Sequence, residues 1–216
     1  MPIVTISRQF GAGGSSVAAI VAARLATEVL DKKLIEDVAA RLSMRPSDVE
    51  HEEERPQTLF DRLARSLATL EPGMGAGWTP PNPDPFADPH KEIVELTQQL
   101  IREAAAGGNL VIVGRGAGFL LGGNPGVMRV LLHAPKSIRV RALIERLSLT
   151  EAEAGRQIQE TDSNRAAYIR QVYGRDWLDP NEYDLTINTG RVGYQAAAEI
   201  ILRAVAEPTP NQRPVA

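Results

Sequence analysis

Apolar positions follow two rhythms along the chain. Ile3–Ser7, Leu110–Val113, Val127–His133 and Leu185–Asn188 are short apolar runs, the pattern of strands covered on both faces. Longer stretches carry apolar residues three and four apart. They predict helices over 16–27, 32–43, 47–55, 57–70, 89–106, about 135–148 and 193–206. Residues 28–31 predict a short second strand, and the spacing of Thr150 and Glu153 is that of a capping box opening a helix that reaches about Gly174. Strands alternating with helices predict an α/β fold, a mainly parallel sheet with helices on both faces.

The rhythm fails over 72–89, where nine of 18 residues are Gly or Pro. Half of that segment cannot propagate regular structure, so it predicts a flap, inserted over about 45–90, rather than a linker. Residues 1–206 then read as a single domain and 207–216, with three prolines, as a frayed tail.

Composition narrows the chemistry. Among 216 residues 43% are apolar, enough for a sizeable core, and the net charge is −3, which argues against a nucleic-acid polymer as partner. No cysteine is present, so disulfides, thiol catalysis and cysteine-held metals are excluded. Neither a leader pattern nor a run of about 20 apolar residues occurs, so a cytoplasmic location away from the membrane is expected. The charge is uneven: 28–61 holds ten acids and five bases, 129–176 nine bases and six acids. These are solvated helix faces, or the arginine-rich half faces an anion.

The glycine cluster after the first strand carries the sharpest signal. A P-loop reads G-x-x-x-x-G-K-[ST] between strand and helix; its amides cradle phosphates, its lysine neutralises them and its hydroxyl holds magnesium. Here the stretch is Arg8-Gln9-Phe10-Gly11-Ala12-Gly13-Gly14-Ser15. The second glycine and the serine are in place; the first glycine is Arg8 and the lysine is Gly14. Strand before and helix after suit an anion at the helix N-terminus, although a glycine turn that binds nothing fits the same letters. Gly11, Ala12, Gly13, Gly14, Ser15 and Ser16 are the candidate phosphate-binding residues, with Ser15 as the candidate Mg2+ ligand. Arg8 either folds back over the phosphates, supplying missing charge, or serves an ordinary ion pair.

These segments resemble the cytidylate-kinase-like family of P-loop proteins, which is related in fold to nucleoside monophosphate kinases. The resemblance rests on Ile6–Ser15, Leu30-Asp31-Lys32-Lys33-Leu34-Ile35, Val111-Ile112-Val113-Gly114-Arg115-Gly116-Ala117 and Tyr183–Thr189. It implies a three-layer P-loop NTPase fold with a five-stranded sheet in the order 2-3-1-4-5. It also implies a nucleotide-binding helical flap and an arginine-bearing lid, here about 141–175. Family members share the altered loop.

For the chemistry, Arg115 follows an apolar strand at the ligand-binding sheet edge, and its position resembles an acceptor-phosphate contact of cytidylate kinases. Lid candidates are Arg141, Arg156, Arg165 and Arg170. Asp162-Ser163-Asn164-Arg165 resembles a lid motif, or is a surface ion pair one helical turn apart. Asp31, at a strand end, could orient an acceptor hydroxyl or a magnesium-bound water. Asn188 and Thr189 could line an adenine pocket or cap the next helix. Trp78 could stack on a base or anchor the flap. No acid ends the strand 110–113, and the three histidines lack metal spacing. Two readings follow: Mg2+- and ATP-dependent phosphoryl transfer to a small phosphate-bearing acceptor, such as the nucleoside monophosphate CMP, or a non-catalytic nucleotide-binding module.

Overall fold

The computed structural model describes residues 2–49 and 89–207. The predicted helices within 50–70, the 72–89 segment with Trp78, and the tail beyond 207 lie outside the described residues. Five strands form one sheet: β1 (Ile3–Arg8), β2 (Val29–Leu30), β3 (Leu110–Val113), β4 (Val127–His133) and β5 (Leu185–Asn188). Their order is β2-β3-β1-β4-β5 and every pairing is parallel, as the apolar runs required.

Helices cover both faces. Strand residues alternate between them: Val4, Ile6, Val111 and Val113 point to a core shared with α1 (Gly14–Arg24) and α7 (Thr189–Ala206). Ile3 and Ile112 point to the opposite core, with α2 (Lys32–Leu42), α3 (Pro89–Ala106) and the short α4 (Ala117–Leu121). A smaller third core joins α5 (Lys136–Leu147) to α6 (Glu151–Tyr173) through Leu143, Ala154 and Ile158.

Several boundaries differ from expectation, for local reasons. Helix α1 spans 14–24 rather than 16–27 because Ala26, at φ 49°, reverses the chain; Thr27 N–H bonds to Ala22 O, closing the helix before β2. Helix α7 starts at Thr189 and kinks at Gly193 (φ 77°, ψ 168°), so the predicted start at 193 marks its second part. The Thr150–Glu153 capping box forms, and α6 runs unbroken to its Gly174 cap. Helix α4 was not predicted: its apolar letters run on from the strand through Gly114 and Gly116.

Because all strands are parallel, the residues that end them share one edge of the sheet. Arg8, Asp31, Gly114-Arg115, His133 and Asn188 gather there.

Candidate functional site

The loop between β1 and α1 sits at the centre of that edge. Gly11 and Gly13 have φ of 82° and 80°, a conformation L side chains rarely adopt. Gly13 is the N-cap of α1 and no side chain caps the helix. The amides of Gly11, Gly13, Gly14, Ser15 and Ser16 make no backbone hydrogen bond. Orphan donors at a helix N-terminus, with the positive dipole end behind them, suit an anion.

A cleft of about 410 Å³ opens beside the loop, lined by Gly11, Gly13, Gly14 and Ser15. Arg8, Arg115, Arg146 and Arg165 also line it, and Asp31 is the one carboxylate among its described lining residues. Among the described residues, four cations against one acid give the cleft a charge that suits anions. A second chamber of about 60 Å³ shares Arg8, Arg115, Thr161 and Arg165 with the cleft, and continues to Ser7, Asn164, Tyr168, Ile169 and Trp177. Its far wall is aromatic and uncharged. Beside it Tyr183 is buried, its hydroxyl donating to Trp177 O at 2.7 Å, and burial pushes the phenol up to about 12.

Arg8 does not point outward. A Cβ built on Gly14 would lie 2.6 Å from Arg8 Cγ, and one on Gly114 would overlap the Arg8 guanidinium. The stem therefore crosses the position of the absent lysine, and the charged end reaches the turn after β3. Arg115, at φ 54°, follows Gly114 in that turn. Arg165, on α6, donates to Arg8 O at 2.9 Å and stands 5.8 Å from the Phe10 ring centre.

The structure thus brings together Arg8, Asp31, Arg115, Arg165, Gly11, Gly13, Gly14 and Ser15. It separates the others from them. Ala12 is buried; Ser16 is exposed in the first turn of α1 and does not line the cleft. Arg141 lies in a different concavity of about 280 Å³, with Gly11, Ile138, Thr189, Gly190, Gly193 and Tyr194 among its walls. The Thr189 hydroxyl is spent within the protein, donating to Ala12 O at 2.9 Å with His133 O at 3.2 Å. Asn188 Oδ1 is buried without a hydrogen-bond partner.

Three residues, Arg139, Phe10 and Tyr194, were missed, and Asp162, read as a lid-motif acid or a partner of Arg165, has a different partner. Arg139 and Asp162 form a buried ion pair of 2.6 Å beneath the loop, and Asp162 pairs there rather than with Arg165. Phe10 packs into the α5–α6 core, and Tyr194 covers Gly13 so closely that any Cβ there would overlap its ring. Two signals were available: an aromatic residue among glycines, and an arginine four residues before buried Leu143 on the same helix face. Tyr194 has no such signal.

For Mg2+ the donors suit a hard cation: the Ser15 hydroxyl is exposed, and Asp31, in the same cleft, makes no hydrogen bond or ion pair. No cluster of three or more His, Asp or Glu occurs among the described residues, so phosphate oxygens would complete the shell. Nor is any helix among them long and apolar enough to cross a membrane.

A family model described as the cytidylate kinase-like family matches residues 3–191. Curated relatives include the cytidylate kinases of Halobacterium salinarum, 31% identical over 121 residues, and Thermococcus sibiricus, 34% over 121 residues. Each alignment covers 56% of this chain and respectively 62% and 61% of the relative, so the chain spans about three fifths of their length. An uncharacterized protein from Eubacterium ventriosum has a similar structure, with TM-score 0.67, 21% identity, and coverage of 99% of this chain and 100% of that one. Shikimate kinase from Bacteroides thetaiotaomicron follows with TM-score 0.52, 16% identity, and coverage of 95% and 99%. At these identities the two structures show the fold alone.

Proposed function

The chain belongs to the cytidylate kinase-like family, and from that premise we propose that it transfers a phosphoryl group from ATP to a small phosphate-bearing acceptor, a nucleoside monophosphate such as CMP. The observation that carries this reading is the pairing of five uncommitted loop amides with a cleft whose described lining holds four arginines and one carboxylate. Phosphoryl transfer asks for positioning and charge neutralisation, and these groups supply both.

On this reading the donor's phosphates lie along Gly11–Ser15, and its base enters the concavity between Arg141 and Tyr194. Mg2+ would be held by the Ser15 hydroxyl with Asp31 behind it, where it supplies charge neutralisation between the phosphates. Arg115 and Arg165, shared by cleft and chamber, would grip the acceptor's phosphate bidentately. Asp31 would accept a hydrogen bond from an acceptor or water in the cleft. A small-molecule nucleotide partner and a cytoplasmic setting accord with this activity.

One observation favours a non-catalytic nucleotide-binding module instead: Gly14 replaces the loop lysine and no acid ends β3. The two readings part in one assay. Incubation with Mg2+-ATP and a panel of nucleoside monophosphates should release ADP at least about tenfold faster with one acceptor than with none, a difference of some 1.4 kcal/mol in barrier. ATP binding by calorimetry without turnover on any acceptor would establish the module.

A further inference from the structure

The glycine loop is fastened from behind by two helices. Phe10 N–H donates to Asp162 Oδ1 at 2.8 Å, and Phe10 O accepts from Arg139 Nη1 at 3.1 Å. The same Nη1 meets Asp162 Oδ2 at 2.6 Å, while Arg139 Nε donates to Ala134 O at 3.0 Å. One carboxylate and one guanidinium therefore close a ring through both polar groups of a single loop residue. The Arg139 side chain is 8% exposed and that of Asp162 17%, so the ring is shielded from water.

Packing reinforces it. The Phe10 ring packs against the core formed by Leu143, Ala154 and Ile158. Gly11 lies on the α5 backbone, where a Cβ would come 3.0 Å from Arg139 O. Arg165 adds its bond to Arg8 O. Loop residues 8, 10 and 11 are thus all tied to α5 and α6. Neither Arg139 nor Asp162 lines the cleft, the chamber or the concavity.

We propose that Arg139 and Asp162 are positioning residues for the phosphate loop, acting through the Phe10 peptide, so that nucleotide affinity is set from α5 and α6. The effect follows from what the pair removes from the loop. The Phe10 amide is turned away from the nucleotide side and committed to Asp162. The remaining free amides, Gly11 and Gly13 to Ser16, are then held in one conformation before any anion arrives. Preorganised donors bind more tightly than donors that must be ordered on binding. The same ties make the helices expected to close as a lid one body with the loop over Arg139–Arg165. The inference rests on the proposed nucleotide site, but its first consequence, a loop held rigid without ligand, does not.

The test uses the full chain and three measurements: hydrogen exchange of the loop peptide without ligand, Mg2+-ATP affinity by calorimetry, and Tm. Asp162→Ala should speed exchange of the hydrogen-bonded loop amides, those of Gln9, Phe10 and Ala12, at least about tenfold and weaken ATP binding by a similar factor. Asp162→Asn retains an acceptor for Phe10 N–H and should recover most of the protection. Arg203→Ala, which breaks the exposed 2.9 Å pair with Glu207, should leave loop exchange and affinity at wild-type values. In turnover, the change should appear in KM for ATP and leave the acceptor KM in place.

If Asp162→Ala does not fold, Arg139→Lys carries the test. It keeps the charge opposite Asp162 but cannot reach Phe10 O, Ala134 O and the carboxylate together. Wild-type loop exchange in a folded Asp162→Ala or Arg139→Lys protein overturns the inference. Faster loop exchange in a protein that binds no nucleotide supports the positioning role and refutes the nucleotide site.

Discussion

Gly14→Ala should change sign with residue 8. In an isolated helix the change is favourable: Gly14 has an ordinary φ, opens α1, and alanine there restricts the unfolded chain, a gain of about 0.4–1 kcal/mol. In this protein the added Cβ would stand 2.6 Å from Arg8 Cγ and 3.0 Å from Arg8 Cβ. Both atoms are close to the backbone, so the stem cannot swing away as a side-chain tip could. Overpacking of this kind costs roughly 1–3 kcal/mol, which outweighs the gain and leaves a net loss of about 1–2 kcal/mol. For a domain of this size the loss lowers Tm by roughly 2–8 °C. Arg8→Gly removes both obstructing atoms and restores the glycine that a P-loop carries at that point. In that background Gly14→Ala should raise Tm by roughly 1–4 °C. The assay is thermal and urea unfolding of the four proteins of the cycle, with a coupling of about 1–3 kcal/mol expected between contacting residues. Equal effects of Gly14→Ala in both backgrounds would refute the claim that Arg8 occupies the lysine's space.

Two further outcomes follow from the same geometry. Arg8→Ala should weaken ATP binding at least about tenfold while changing nucleoside monophosphate binding less than about threefold; equal losses in titration calorimetry would remove Arg8 from the triphosphate's surroundings. Tyr183, raised by burial to about 12, holds its proton after the unfolded chain's phenol, near 10, has released it. Its contribution is complete below pH 10 and fades between pH 10 and 12, by up to about 3 kcal/mol. Tyr183→Phe should be about 1 kcal/mol less stable at pH 8, having lost the bond to Trp177 O, yet decline less steeply from pH 10 to 12 in urea midpoints. Parallel declines would contradict the assignment.

The fold was legible because the sheet is buried on both faces. Runs such as Leu110–Val113 leave no polar alternation, and that alone implies parallel strands with helices on either side. The loop was legible from its position between strand and helix. What could not be read was which atoms face each other across long separations. Asp162 and Arg165 look like an i,i+3 pair by spacing; in the structure each turns to the loop, 152 and 157 residues away. Thr189 looks like a helix cap or a base contact by its place after β5. Its hydroxyl instead ties that strand end to Ala12, 177 residues distant. Periodicity reports which face of an element is buried, not the partner that buries it, so the polar ties of the loop had no signature.

The two departures from the P-loop pattern are one exchange rather than two losses. In that pattern a glycine opens the loop and a lysine closes it; here Arg8 opens it and Gly14 closes it. The positions touch: the Arg8 stem fills the volume a side chain at 14 would need. A lysine at 14 is therefore excluded while Arg8 is present, and the glycine is the condition for the arginine to lie across the loop. The count of cations is unchanged, but the charge moves. A lysine would rise from the helix N-terminus as a point charge above the donor phosphates. The guanidinium of Arg8 starts from the end of β1 and reaches Gly114, next to Arg115 and beneath Arg165's bond to its own carbonyl. A planar fork held against Gly114 would be able to meet phosphate oxygens bidentately, where a lysine offers a point charge. The altered loop is thus compatible with phosphoryl transfer on physical grounds, and in the proposed function the charge would come from the strand instead of the helix.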